Sequence, residues 1–102
     1  MIINGKERGF AYTVGAWCDI NDYVVANPDV SAATANLHKA VIMNKAFNDA
    51  NGIDDGLTIE ELRKLPASVM FELLDEIKKA ETEGSTRTVE TEEKKPENGE
   101  KK

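Results

Sequence analysis

Hydrophobic positions recur at helical spacing along the first 83 residues and almost disappear after that point. From Gly84 to Lys102 the one sizeable apolar side chain is Val89, and most of the other residues are charged or small and polar. A segment of this kind does not bury enough apolar surface to offset the entropy lost on ordering. The pattern therefore predicts one small folded domain over residues 1–83 and a disordered charged tail over residues 84–102.

The first ten residues predict a short β-hairpin. An apolar stretch at residues 1–3 is followed by Asn4-Gly5, the strongest short-range signal for a two-residue hairpin turn, and residues 6–10 are the predicted return strand. Two short strands alone are only marginally stable. The hairpin must therefore lie against helices or be completed by a partner strand.

A first helix is predicted between Thr13, a suitable N-cap, and Asn27, which precedes a proline. Five apolar side chains fall on one face of this helix: Val14, Trp17, Cys18, Val24 and Val25. Asn21 interrupts that face. Because Cys18 lies beside Trp17 on the apolar face, we expect it to be an inert thiol of the core.

A second helix is predicted from the N-cap Ser31 to the stop at Gly52. It carries an apolar stripe, with Ile42 roughly opposite, and only a narrow polar strip: Thr34, His38, Lys45, Asn48 and Asp49. A helix that is apolar on nearly all sides is normally buried. Either it is the central helix of the domain, or its second apolar face binds another chain.

Two further helices complete the predicted fold. Thr58 and Glu61 form a capping box at the start of a short helix, which Pro66 ends. The last helix carries a clean apolar stripe: Val69, Met70, Leu73, Leu74, Ile77 and Ala80. Phe71 lies outside this stripe, on the polar side of the helix. The predicted fold class is mostly α, with about four helices and a short N-terminal β-hairpin.

Charge and cysteine content narrow the classes of function. The net charge of the 102 residues is −6, and the five acidic and five basic side chains of the tail cancel, so the folded part carries all of it. This balance argues against nucleic acid or an anionic membrane as the main partner. One cysteine allows no intrachain disulfide and fits a reducing compartment. Without a signal-peptide pattern or an apolar run near ~20 residues, a cytoplasmic protein is expected.

No pattern of catalytic, cofactor-binding or metal-binding residues emerges. The loop at residues 49–61 resembles an EF-hand, but both alignments place Ile53 at a ligand position and fail elsewhere. His38 is the single histidine and has no partner at metal-ligand spacing, so we expect a solvent-facing side chain. No glycine pattern matches a phosphate-binding loop. The sequence therefore predicts a binding protein that is not an enzyme and needs no cofactor.

The strongest functional signal is apolar surface that a small domain does not need for its own core. The predicted partner-binding residues are large apolar side chains of the second and last helices, of which Ile42 and Phe71 lie off the main stripes: Ile42, Met43, Phe47, Met70 and Phe71. Methionine adapts to varied partners, and phenylalanine contributes a large contact area. The alternative is that the hairpin and the first helix cover all five.

The order of these elements resembles a phage family. The matching parts are the turn signal Ile3-Asn4-Gly5-Lys6, then Phe10 with Thr13-Val14-Gly15-Ala16, a mid-chain helix, the run Leu57–Leu62, a closing amphipathic helix and a charged end. In this order the chain resembles the small tail assembly chaperones of long-tailed bacteriophages and prophages. The resemblance covers most of residues 1–83 as a pattern of elements, and the long Glu/Lys tail departs from it.

That resemblance implies a function without catalysis. Proteins of this family bind the long, aggregation-prone tape measure protein and hold it ready while tail tube subunits polymerise around it, and many exist in a short and a frameshifted longer form. For this chain the resemblance implies that a groove captures a partner helix in the cytoplasm of a bacterial host. The tail tube protein is a second candidate partner, and self-association is left open.

Two other interpretations remain open at the level of sequence. An acidic regulatory or antitoxin-like module would cover a basic protein and would bind in a salt-sensitive way. A small virion structural protein would assemble with copies of itself into rings or tubes.

Overall fold

The computed structural model describes residues 1–85 and confirms a mostly helical fold with an N-terminal hairpin. The elements in chain order are β1 (Ile2–Ile3), β2 (Lys6–Glu7), α1 (Val14–Ala26), α2 (Ala32–Asn51), α3 (Ile59–Arg63) and α4 (Val69–Ser85). The predicted disordered tail lies outside the described residues from residue 86 onward. Among residues 1–85, no helix has the length and apolar character needed to cross a membrane.

The hairpin is antiparallel and packs against the helices. Ile2 pairs with Glu7 and Ile3 with Lys6. Asn4 and Gly5 both adopt positive φ, at 53° and 80°, as a type I′ turn requires. Ile3 is 1% exposed, so the helices cover the inner face of β1.

The return strand ends at Glu7 and not at Phe10 as the sequence suggested. Arg8 still pairs with Met1, its amide donating to the Met1 carbonyl at 2.7 Å and its carbonyl accepting from the N-terminal amine at 2.9 Å. From Gly9 onward the chain bonds to α2. The Gly9 carbonyl accepts from Asn44 Nδ2 at 2.9 Å, and the Ala11 amide donates to the Met43 carbonyl at 3.0 Å. These long-range bonds replace the sheet ladder.

The predicted helix starts are confirmed, because each one depends on a local hydrogen bond. Thr13 Oγ1 accepts from the Ala16 amide, and Ser31 Oγ accepts from the Thr34 amide, both at 3.1 Å. Thr58 and Glu61 form the reciprocal capping box of α3. At the end of α2, the C-cap Gly52 has φ of 67°, a conformation that glycine adopts without a steric penalty.

α2 is the central helix of the domain, and α1, α3 and α4 all pack against it. Ala40 and Met43 are 0% exposed. The first of the two alternatives for this helix is therefore correct. The core draws on every part of residues 1–85: Ile3, Ala16, Ala40, Met43, Leu57, Leu62, Leu73, Ile77 and Ala80.

α4 places its predicted stripe toward α2 and continues past the expected boundary at residue 83 to Ser85. Lys39 Nζ on α2 contacts Glu81 Oε2 on α4 at 2.9 Å. Near its end, Gly84 lies directly against the backbone before α1, since a Cβ atom at Gly84 would stand 2.4 Å from the Tyr12 carbonyl oxygen. The end of α4 is thus fixed close to the start of α1.

Candidate interaction surfaces

The three predicted contact residues on α2 face the inside of the domain. Met43 is fully buried. Ile42 is half-buried and packs against the core on the side where α1 lies. Phe47 is half-buried, and its ring lies under Gly9, where an added Cβ atom would come within 2.5 Å of it. The hairpin segment and α1 thus cover this part of α2.

The two predicted contact residues on α4 lie on different sides of that helix. Met70 is half-buried and lines an apolar groove. Phe71 is 75% exposed, in agreement with its predicted place outside the α4 stripe. The structure therefore does not bring the five predicted residues together into one surface.

The groove is the first candidate interaction surface. It has a volume of about 380 Å³ and lies between the first half of α2, α3, the link after α3, and the first half of α4. Its apolar lining comes from all four parts: Ala33, Leu37, Leu62, Leu65, Pro66, Ala67, Val69, Met70 and Leu73. Arg63 is the one charged residue among those lining it.

Local backbone chemistry opens this groove. Pro66 lacks an amide proton and so stops α3 from continuing. The chain then turns before α4, with the Val69 amide bonded to the Pro66 carbonyl and the Met70 amide to the Ala67 carbonyl, both at 3.0 Å. This turn separates α3 from α4 at one end of the domain and leaves the groove between them.

The outer face of α1 is the second candidate surface, and it is exposed, whereas the sequence predicted a core position for Cys18 on this face. Val14 is 78% exposed, Trp17 54%, Val24 49% and Val25 79%. Cys18 is exposed as well, so it is not a core thiol. We call these five residues and Asn21 the outer face of α1.

α1 packs on α2 through the opposite side. Ala16 is its one buried residue, and Ile20 and Tyr23 are partly buried beside it. The spacing of four and three residues between Ala16, Ile20 and Tyr23 is the sequence signal for this buried side. These three residues form a weaker apolar stripe than the outer face, because alanine is small and tyrosine carries a polar hydroxyl. The helix therefore turns its more apolar face to solvent.

Two polar residues of α2 differ from their predicted placement. His38 is half-buried and not fully exposed to solvent; its ring stacks on that of Tyr23 with centroids 4.1 Å apart and forms part of the α1–α2 contact. Asn48 is 5% exposed and does not belong to the polar strip. Its Nδ2 donates to Asn44 Oδ1 at 3.2 Å and to the Asp55 carbonyl at 3.3 Å.

Charged side chains join the hairpin to the loop before α3. The guanidinium of Arg8, which is 4% exposed, donates to the Asp55 carbonyl and lies 3.7 Å from Glu61 Oε2. Lys6 Nζ contacts Asp55 Oδ2 at 2.6 Å. The hydrogen bond from Lys6 and its positive charge lower the pKa of the Asp55 carboxyl. These groups fix the hairpin against the loop before α3.

The chemistry that these surfaces offer is apolar contact. Within residues 1–85, no three His, Cys, Asp or Glu side chains cluster in a way that could hold a metal ion. Comparison with known proteins adds no relative: no protein-family model, no curated protein and no solved structure matches this chain.

Proposed function

We propose that this protein is a tail assembly chaperone of a long-tailed bacteriophage or prophage, which binds the tape measure protein and keeps it soluble while the tail tube assembles. It acts without catalysis, in the cytoplasm of the bacterial host, and the tail tube protein is a second candidate partner. The proposal rests on the resemblance in the order of elements and on one structural observation, the apolar groove between α2 and α4.

The groove suits the side chains along one ridge of an amphipathic helix. A volume of about 380 Å³ accommodates a few large side chains and not a whole helix, whose diameter is about 10–12 Å. Small residues at the edge, such as Ala33 and Ala67, let a partner backbone approach closely, while Leu37 and Leu73 supply apolar contact. The flexible side chain of Met70 adapts to different sequences along a long partner.

The charge of the folded part supports the same function. The net charge of −6 lies on the body of the protein, whereas the groove is lined by apolar side chains together with Thr34 and Arg63. Like charge on the outside keeps loaded complexes apart and favours solubility, while the mostly apolar groove provides the contact. Binding in the groove should accordingly persist at high salt, unlike binding by an acidic regulatory module.

Co-expression tests the proposal directly. Sequencing of the DNA flanking the gene identifies the neighbouring long helical protein, which is then expressed in bacteria with and without the full chain. We expect the soluble fraction of the long protein to rise with the chain present and the complex to survive in about 1 M salt, where the Debye length is about 3 Å. Absence of such a neighbour, or no gain in solubility, would contradict the proposal.

A matched pair of variants locates the contact. Ala33→Arg places a long charged side chain in the groove, whereas Ala32→Arg makes the same change at the preceding exposed position, which does not line it. Both residues lie in the first turn of α2 and neither is buried, so both variants should fold. We expect Ala33→Arg to abolish the gain in solubility and Ala32→Arg to retain it. Equal behaviour of the two variants would show that the groove is not the contact.

A further inference from the structure

The outer face of α1 has the pattern of a helix that pairs with another helix. Val14, Trp17, Asn21 and Val24 follow one another at spacings of three, four and three residues, the alternation of the core positions in a coiled coil. Cys18 and Val25 widen the strip on one side. No charged side chain belongs to this face, although the folded part as a whole is strongly acidic.

Asn21 lies in the middle of this apolar strip and limits what can cover it. A buried amide needs hydrogen-bond partners, so a purely apolar partner surface would leave Asn21 unsatisfied. A single asparagine at such a position is a known device for fixing the register of paired helices. The occupant should therefore present a polar group opposite Asn21 and apolar groups on both sides of it.

The outer face itself carries the group that Asn21 requires. Asn21 Nδ2 donates to the Trp17 carbonyl at 2.8 Å, which holds the side chain against the preceding turn. None of the hydrogen bonds found within residues 1–85 involves Asn21 Oδ1 or the indole Nε1 of Trp17. The face thus presents one available acceptor and, one helical turn away, one available donor.

We propose that two copies of this chain pair through the outer faces of their α1 helices, in antiparallel orientation about a two-fold axis. Antiparallel pairing in this register sets Trp17 of one copy opposite Asn21 of the other, and Val14 opposite Val24. The indole N–H of each copy then donates to the Asn21 Oδ1 of the other. One two-fold axis satisfies both asparagines and covers both strips.

Charge and size predict how strong this dimer is. Asp19 and Asp22 are the acidic residues of α1, and neither belongs to the outer face, so their repulsion across the interface is weakened by solvent. A helix of 13 residues is about 20 Å long. A pair of such helices buries less than the roughly 1,600 Å² of a standard interface. We therefore expect a reversible dimer with a dissociation constant in the micromolar range or above.

Sedimentation equilibrium of the full chain tests the pairing, over concentrations from about 1 µM to about 1 mM, which bracket the expected affinity. We expect a monomer–dimer equilibrium that Val25→Lys weakens at least about tenfold, because the change replaces an apolar side chain of the interface with a charged one that would lose its water on pairing. Ala26→Lys is the matched control, because it makes the same change of charge at the next exposed position, outside the face. A protein that stays monomeric throughout, or an equal effect of both variants, would overturn the proposal.

Cysteine cross-linking tests the orientation. In a Cys18→Ser background, the double change Val14→Cys and Val24→Cys should give a covalent dimer on mild oxidation, because the two positions face each other across the axis. Each single change should give much less. Efficient cross-linking by Val14→Cys alone would indicate parallel helices and would overturn the antiparallel arrangement. Far-UV circular dichroism confirms that each variant retains its helices.

Discussion

Asn44 joins three parts of the chain through a single buried side chain. It is 1% exposed on α2, its Nδ2 donates to the Gly9 carbonyl, and its Oδ1 accepts from the Leu57 amide at 3.0 Å. A second asparagine, Asn48, donates to the same oxygen. One amide thereby satisfies backbone groups of the hairpin exit and of the loop before α3. Removal of a side chain with this many hydrogen bonds lowers the free energy of unfolding strongly, because its partners stay buried without hydrogen bonds.

Asn44→Ala should lower the free energy of unfolding by about 2–4 kcal/mol, since it leaves the Gly9 carbonyl and the Leu57 amide without partners. Urea denaturation followed by circular dichroism measures the change. Asn51→Ala is the matched control, because Asn51 makes one exposed hydrogen bond to the Phe47 carbonyl on the same helix. We expect it to change stability by less than about 0.5 kcal/mol. A similarly small effect of Asn44→Ala would contradict the role assigned to this network.

The ion pair of Lys6 with Asp55 predicts a defined pH dependence. Lys6 lowers the pKa of Asp55 in the folded state. The ion pair therefore stabilises the fold at pH values above the pKa that Asp55 has in the unfolded chain. This stabilisation is lost as the pH falls through the lowered pKa of the folded state. Lys6→Met should raise the pKa of Asp55 toward its ordinary value. A carboxyl-detected NMR titration measures it, with Lys45→Met as control. An unchanged pKa in Lys6→Met would show that Lys6 is not its cause.

At the scale of elements, the starts of α1, α2 and α3 and the end of α2 could be predicted from sequence, whereas the orientation of α1 could not. Thr13, Ser31 and Gly52 act on amides or carbonyls within a few residues, so their sequence signals are self-contained. The face of α1 that is buried depends on what α2 offers to pack against. Ala16 allows a close approach of the two helices that the bulkier outer face with Trp17 would not.

Substitution of alanine for glycine should raise protein stability at one position within a helix and lower it at another. Gly15 in α1 has space for a methyl group, the nearest atom to an added Cβ being Thr13 Oγ1 at 3.9 Å, so Gly15→Ala should stabilise the protein by about 0.5–1 kcal/mol. Gly84→Ala should destabilise it, because its Cβ would collide with the Tyr12 carbonyl at the place where α4 meets the chain before α1. Thermal unfolding of the two variants measures both signs. Stabilisation by both would show that α4 does not approach Tyr12.

At the scale of the whole molecule, α2 divides the protein into two sides with separate apolar surfaces. The groove depends on the relative positions of α2, α3 and α4, and no single segment encodes it. Of the five predicted contact residues, Met70 lines the groove and Phe71 is exposed elsewhere on α4, whereas Met43 is buried and Ile42 and Phe47 are half-buried. Residues lying off the main helical stripes predicted apolar surface beyond the need of one small core. Locating the surplus required the packing of the helices.

The shallow attachment of α1 has a consequence for the way the native protein opens. With Ala16 as its one fully buried residue, α1 should detach from α2 at a free energy well below that of global unfolding. Its amides should then exchange with deuterium faster than those around Met43 and become protected as the protein concentration rises. Uniform exchange along α1 and α2 at all concentrations would contradict this. If this protection is observed, dimerisation through α1 and the local order of α1 are thermodynamically coupled, so that α1 becomes fully ordered only at high protein concentration.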